Sequence, residues 1–204
     1  GLENIEAIGE ENIVRSPFLH DSSFRDIFYN SFTKRIVKDI LGEHAILSLQ
    51  NGIIVSGNKD HHQSFYHRDI IHQTFTSSRP LAINLYFCLD DYNQQNGGTT
   101  FIPKSHKREG FLCDSEETPN VEAGSVILFD SMIFHKAGTN STETTRCGIN
   151  NMYTLPFLKQ QINYPFCLKK KTSDPQLNRL LGFDSKEHLG VNEFREFRLE
   201  RLSQ

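Results

Sequence analysis

Between about residues 45 and 157 the chain reads as a succession of short runs rich in β-branched and aromatic residues: AILSLQ, GIIVSG, LAINLYFCL, TTFIP, SVILFD and RCGINNMYTL. Each run is strand-sized. Turn-forming residues separate them at Asn51-Gly52, Asn96-Gly97-Gly98, Pro103 and Glu122-Ala123-Gly124. No helices alternate with the runs, which argues against a parallel α/β sheet and for a sandwich or barrel. Sixteen Phe and six Tyr, with no Trp, supply the bulk for a sheet-on-sheet core.

Helical texture is confined to the two ends. Residues 23–42, SFRDIFYNSFTKRIVKDILG, set Phe24, Ile27, Phe28, Phe32, Ile36 and Ile40 at helical spacing and stop at Gly42, which predicts one or two amphipathic helices. The tail turns helical and charged, with a helix expected over 192–202. The expected architecture is one domain over 1–204, mainly β with flanking helices. It comprises a helical lead-in at about 20–42, a β core at about 45–157 and a helical C-terminal segment at about 174–204.

Charge and cysteine usage narrow the function classes. A formal net charge of −3 with 23% charged residues gives no field to attract nucleic acid or an anionic membrane, so neither is expected as a partner. No apolar run approaches the roughly 18 residues that span a bilayer. The acidic, polar opening GLENIEAIGEENIV is unlike a signal peptide. Cys88, Cys113, Cys147 and Cys167 lack CxxC spacing and fit unpaired thiols in a reducing compartment, so the cytoplasm is the expected location. Nothing in the pattern specifies an oligomeric state.

The chemistry is concentrated in a few residues. His67 and Asp69 flank Arg68, and on an extended strand positions i and i+2 share a face, so both can reach one ion. His135 follows the strand signal SVILFDSMIF and precedes a turn-like AGTN, which places it at a strand mouth. Two imidazoles and a carboxylate with open positions point to Fe(II) oxygen chemistry more than to a closed zinc site with four protein ligands. Arg146, eleven residues beyond His135, can pair bidentately with a carboxylate such as that of 2-oxoglutarate; its ordinary alternative is a half-exposed strand edge. His61 and His62, in a polar loop, are read as solvated or substrate-facing rather than as ligands, and His72, three beyond Asp69, as facing the opposite side of a strand. Arg68 should point away from the metal, toward an anionic substrate group or a surface acid. Lys104 and His106 are placed at the pocket mouth, and Lys169-Lys170-Lys171 on a solvated loop.

Four blocks make the segment from about Ser64 to Pro156 resemble the phytanoyl-CoA dioxygenase family of Fe(II)/2-oxoglutarate oxygenases. They are FYHRD (65–69), LYFCLDDYNQQNGGTTFIPKSHK (85–107), GSVILFDSMIFHKAGTN (124–140) and TTRCGINNMY (144–153). The resemblance implies a double-stranded β-helix (jelly-roll, cupin-like) fold, iron held by His67, Asp69 and His135, 2-oxoglutarate anchored by Arg146, and O2 as oxidant. Asn84 is a candidate for co-substrate binding or for the ring of groups behind the ligands, with Thr99 and Gln50 after it; the ordinary alternative for each is a strand polar residue facing solvent or capping a turn. Two positions depart from the family pattern: Lys104 stands where a Gly is usual, and Ala137 where a Ser often helps to bind the co-substrate. Halogenating relatives of such enzymes lack the carboxylate, so Asp69 favours hydroxylation, with release of succinate and CO2. The expected substrate is a small polar or anionic molecule, met by a rim of His61, His62, Gln63, Arg68 and Lys104. Two rivals keep the fold: a non-catalytic binding protein, and a cupin-type hydrolase or isomerase with Zn or Mn at the same ligands. Against the first, all three ligands and Arg146 are in place, where loss of chemistry would ordinarily let one drift; against the second, a hydrolase has no need of a carboxylate clamp at the position of Arg146.

Overall fold

The computed structural model describes residues 5, 8–58, 63–70 and 75–202. Its strands are β1 (Ile13–Arg15), β2 (Ile46–Val55), β3 (Ala82–Cys88), β4 (Thr100–Phe101), β5 (Val126–Asp130), β6 (His135–Lys136) and β7 (Arg146–Thr154). Five of them form an antiparallel sheet in the order β1-β2-β7-β3-β5, and β4 pairs with β6 in a second sheet. The fold is mainly β, as expected, although the two sheets do not close into a barrel among the described residues.

The helices cover one face of the large sheet. Residues 23–42 supply α1 (Arg25–Phe28) and α2 (Ser31–Leu41). The Asn30 side chain caps α2 by accepting from the Thr33 N–H at 2.9 Å, and Gly42, at φ +92°, ends it. From the C-terminal side come α3 (Tyr164–Leu168), α4 (Pro175–Leu180) and α5 (Val191–Leu202). Phe28, Val37, Leu41, Tyr164, Leu177 and Leu181 pack on Leu47, Ile83, Leu85 and Tyr153 of the sheet. Burial of that kind is worth about 1.5–3 kcal/mol per large apolar side chain. By contrast, α5 buries none of its residues. No helix of the described residues is long and apolar enough to cross a membrane.

Asn51-Gly52 does not turn. The runs AILSLQ and GIIVSG are one strand, β2, paired through this point with both β1 and β7. A Cβ on Gly52 would lie 3.3 Å from the Val14 Cβ, so the glycine accommodates a close approach to β1 instead of a reversal. The ladder between β2 and β7 is regular except at one β-bulge: Leu47 pairs with Tyr153 and Leu49 with Met152, leaving Ser48 as the extra residue. Leu47 therefore faces the helices, whereas Leu49, Asn51 and Ile53 face the opposite side, where a cavity opens.

Candidate metal centre

The segment holding His67 and Asp69 is not a strand. It touches β6 through a single antiparallel bridge, in which the His67 N–H donates to the His135 carbonyl at 2.9 Å and the His135 N–H donates back at 3.0 Å. The Asp69 N–H donates to the Ser131 carbonyl at 3.1 Å. These bonds set the two histidines side by side, with ring centroids 4.4 Å apart. Each Nδ1 lies 3.0 Å from the backbone carbonyl two residues earlier, Phe65 for His67 and Ile133 for His135. An Nδ1–H donated there leaves the Nε2 lone pair free to ligate. Both Nε2 atoms approach Asp69 Oδ1, at 3.9 Å for His67 and 3.6 Å for His135. The three ligating atoms lie within 4.8 Å of one another. Such spacings suit a single ion with bonds of about 2.0–2.2 Å to nitrogen and oxygen.

Burial works against ionising Asp69, but His135 and His67, together with the Asn84 amide, outweigh it and hold the carboxyl below its ordinary value. Burial likewise disfavours charge on His135; the facing Asp69 carboxylate overcomes it and raises the imidazole above its ordinary value. Asp69 is thus an acceptor-only carboxylate. Asn84, on β3, donates through Nδ2 to Asp69 Oδ2 at 2.7 Å and to Ser131 Oγ at 2.8 Å. Its Oδ1 accepts from Asn150 Nδ2 of β7 at 2.8 Å. Gln161 Nε2 holds the Asp69 backbone carbonyl at 3.2 Å. Phe129 lies edge-on to the His135 ring at 5.1 Å.

Arg146 is not on a half-exposed edge: it is 2% exposed. Its Nη1 donates to the Tyr86 hydroxyl at 2.7 Å, Nη2 to the Gly97 carbonyl at 2.9 Å and Nε to the Asn96 carbonyl at 3.2 Å. The Tyr92 ring lies under the guanidinium at 4.6 Å. Burial pushes the Tyr86 hydroxyl above its ordinary pKa despite Arg146, so it remains protonated and keeps a proton to donate. Tyr86 escapes sequence reasoning because an aromatic in the run LAINLYFCL looks like core. A signal was present in Gly148, two residues from Arg146 on the same strand face, whose missing side chain admits the Tyr86 ring.

One cavity of about 250 Å³ brings together the triad, Arg146 and Tyr86. Thr99 and Arg68 line it as well, as does Ala137. Arg68 pairs with no surface acid in the hydrogen bonds of the described residues: Nη2 donates to the Ser105 and Arg108 carbonyls at 2.8 and 2.6 Å, and the guanidinium stacks on Phe134 at 4.2 Å. Lys104 does not line this cavity. It borders a different cleft, beside Glu117 and Leu128, with a left-handed backbone at φ +62°. That conformation explains why a Gly is usual at this position. Gln50 is also elsewhere, buried on the helix side and bonded to Phe18, Phe24 and Asn151. His61, His62 and His72 lie outside the described residues.

The family profile described as phytanoyl-CoA dioxygenase (PhyH) matches residues 3–148. An uncharacterised protein of Mycobacterium tuberculosis is 29% identical over 207 residues, covering 95% of this chain and 75% of that relative. Dioxygenase af480 of Aspergillus fumigatus is 26% identical over 184 residues, covering 83% of this chain and 57% of the fungal protein. Among solved structures, EctD from S. alaskensis with 2-oxoglutarate and 5-hydroxyectoine superposes with a TM-score of 0.61 at 18% identity, covering 70% of this chain and 56% of EctD. This chain therefore spans little more than half the length of those last two proteins.

Proposed function

Since this chain belongs to the phytanoyl-CoA dioxygenase family of oxygenases, we propose that it is a non-haem, Fe(II)- and 2-oxoglutarate-dependent hydroxylase of a small polar molecule. In this reading His67, Asp69 and His135 hold iron, and Arg146 with Tyr86 receives the 5-carboxylate of 2-oxoglutarate. The observation that carries it is one cavity containing both halves of the machinery: two Nε2 atoms turned on one carboxylate, and a buried guanidinium with a tyrosine hydroxyl. A hydrolase has no use for the second half.

Bound iron would supply O2 activation coupled to oxidative decarboxylation, so that RH, O2 and 2-oxoglutarate give ROH, succinate and CO2. The chain's own residues do the rest. The Phe65 and Ile133 carbonyls hold both imidazoles in the ligating tautomer. Asn84 orients Asp69 by taking one carboxylate oxygen, which leaves Oδ1, the oxygen nearer both histidines, for the metal. Arg146 presents a fixed, buried positive charge that needs no reorganisation when a carboxylate arrives. Phe129 and Met152 add apolar surface to the same cavity.

Succinate release from 2-oxoglutarate with Fe(II) and ascorbate tests the reading. Parent protein should turn over, Asp69→Ala should not, and Arg146→Ala should need far more 2-oxoglutarate while remaining folded. Equal 2-oxoglutarate binding by Arg146→Ala and the parent would remove the anchor assignment.

A further inference from the structure

Resting on the reading of this cavity as the oxygenase site, we propose that Asn150 and Asn51 form a substrate subsite that accepts hydrogen bonds from a neutral hydroxyl group. The register of the large sheet sets the two residues in one row. Arg15 pairs with Asn51, Asn51 with Asn150, and Asn150 with Tyr86. Directly opposed residues share a face, and all four line the cavity. The row runs away from the co-substrate end, where Tyr86 is engaged by Arg146.

The metal centre fixes the polarity of this row. Asp69 can only accept, so Asn84 must turn Nδ2 toward it, at 2.7 Å. That places Asn84 Oδ1 against Asn150, which must present its own Nδ2, at 2.8 Å. The remaining Asn150 atom, Oδ1, is buried and without a partner, and so is Oδ1 of Asn51, a residue only 8% exposed. A relay of two amides thus converts the negative charge of Asp69 into a hydrogen-bond acceptor one strand further along. An unpaired buried acceptor costs about 1–3 kcal/mol, which a donating ligand recovers.

Surrounding residues narrow the donor. Arg15, Arg68 and Arg146 all line the cavity; Arg15 is paired with Glu10, and among the described lining residues the one carboxylate, Asp69, is committed to the histidines and Asn84. An ammonium group would meet the Arg68 and Arg146 guanidinium groups and, among the described lining residues, no uncommitted carboxylate. A hydroxyl supplies the donor that these acceptors lack, and its own oxygen accepts in turn, which suits a cavity also lined by Arg68, whose Nε and Nη1 are buried without partners. Leu49 and Met152 on one side of the row, and Ile53 on the other, fit the aliphatic carbons that carry the hydroxyl. The substrate class is therefore a hydroxylated aliphatic molecule, oxidised at a C–H bond near an existing hydroxyl.

The test uses the full chain loaded anaerobically with Mn(II) and 2-oxoglutarate, and proton NMR of three probes broadened by the paramagnetic ion. The probes are trans-1,2-cyclohexanediol, its dimethyl ether, and trans-1,2-diaminocyclohexane, which is cationic at neutral pH. The diol should be broadened and the other two not, and Asn51→Leu should weaken diol binding about tenfold while Mn(II) and 2-oxoglutarate bind as before. An absent diol effect, an ether that broadens equally or a preferred diamine would overturn the subsite. So would unchanged diol affinity in both Asn51→Leu and Asn51→Ala. Failure of Mn(II) and 2-oxoglutarate to bind the parent protein would instead overturn the oxygenase reading beneath it.

Discussion

Gly148→Ala places one methyl group against the proposed co-substrate anchor. A Cβ at this position would lie 2.2 Å from the Tyr86 hydroxyl oxygen and 2.4 Å from two of its ring carbons. Contacts that short cannot be absorbed in place, and Tyr86, 4% exposed, can yield only toward the cavity that it lines. Gly148 is not at positive φ, so the backbone tolerates alanine and the effect is purely steric. The ring must leave the position from which its hydroxyl meets Arg146 Nη1 at 2.7 Å. Overpacking of this kind costs about 1–3 kcal/mol. For a chain of this size that is a fall in Tm of about 2–4 °C per kcal/mol. The lost hydrogen bond to a charged group is worth about 1.5–3 kcal/mol, so the 2-oxoglutarate Kd should rise by roughly ten- to a hundredfold. The chain has no Trp, so dye-based thermal unfolding and anaerobic calorimetry with Mn(II) are the suitable readouts. The same methyl added in a Tyr86→Ala background should cost much less, because the contact it makes is gone. An unchanged Tm and 2-oxoglutarate Kd in Gly148→Ala would refute the reasoning, and an equal penalty in the Tyr86→Ala background would show that another contact is responsible.

Asn84→Leu removes the donor from Asp69 and should weaken Mn(II) binding about 10–100-fold by calorimetry; parent-like affinity would show that Asn84 does not orient the carboxylate. Asp174 caps α4 through the Gln176 and Leu177 N–H groups and accepts the Tyr29 hydroxyl at 2.7 Å, so Asp174→Ala should lose about 1 kcal/mol at neutral pH. The Tyr29 hydrogen bond, chief among its causes, holds the Asp174 carboxyl below 3.8. Its contribution is therefore present above that value and lost as pH falls through the folded value, so urea unfolding should separate parent from Asp174→Ala at pH 7 and no longer in strong acid. A pH-independent gap would assign the effect to something other than the carboxylate. Deleting Ser48 removes the β2 bulge and should abolish Mn(II) binding; a deletion variant that binds Mn(II) as the parent does would show that the bulge does not set the cavity face.

Much of this was legible because the chemistry-bearing residues are conspicuous types in short, patterned runs. The strands containing Leu85, Leu128 and Ile149 are apolar enough to announce themselves, and α2 has both its spacing and its terminating Gly42. His67 and Asp69 stand out as an H-x-D pair, His135 and Arg146 as a His and an Arg at strand starts, and Asn84 as a polar residue in an apolar run. The three-residue β1 and two-residue β4 and β6 carry too few side chains to show any period. Sequence alone puts Lys104 at the pocket mouth, but the residue's position depends on the direction in which a left-handed turn sends the chain. Tyr86 and Arg146 meet across two paired strands, and no property of either run alone shows that their faces coincide.

Gln50 and Asn51 show what one inserted residue decides. Strict alternation from Leu47, which faces the helices, would send Asn51 to the helices and Gln50 to the cavity, opposite Asn150. The bulge at Ser48 inverts that order: Gln50 accepts from the Phe18 N–H and donates to the Phe24 carbonyl on the helix side, and Asn51 pairs with Asn150 above the cavity. The bulge is held by its own bonds. Ser48 is fully buried, its Oγ accepts from the Gln161 N–H at 3.2 Å, and its carbonyl accepts from the Ile162 N–H at 3.1 Å. The same Gln161 reaches through its side chain to the Asp69 carbonyl at 3.2 Å. The segment that sets which face of β2 meets the cavity thus also grips the loop bearing a metal ligand. A shift in one would strain the other, so the face presented by Asn51 and the position of Asp69 are fixed together.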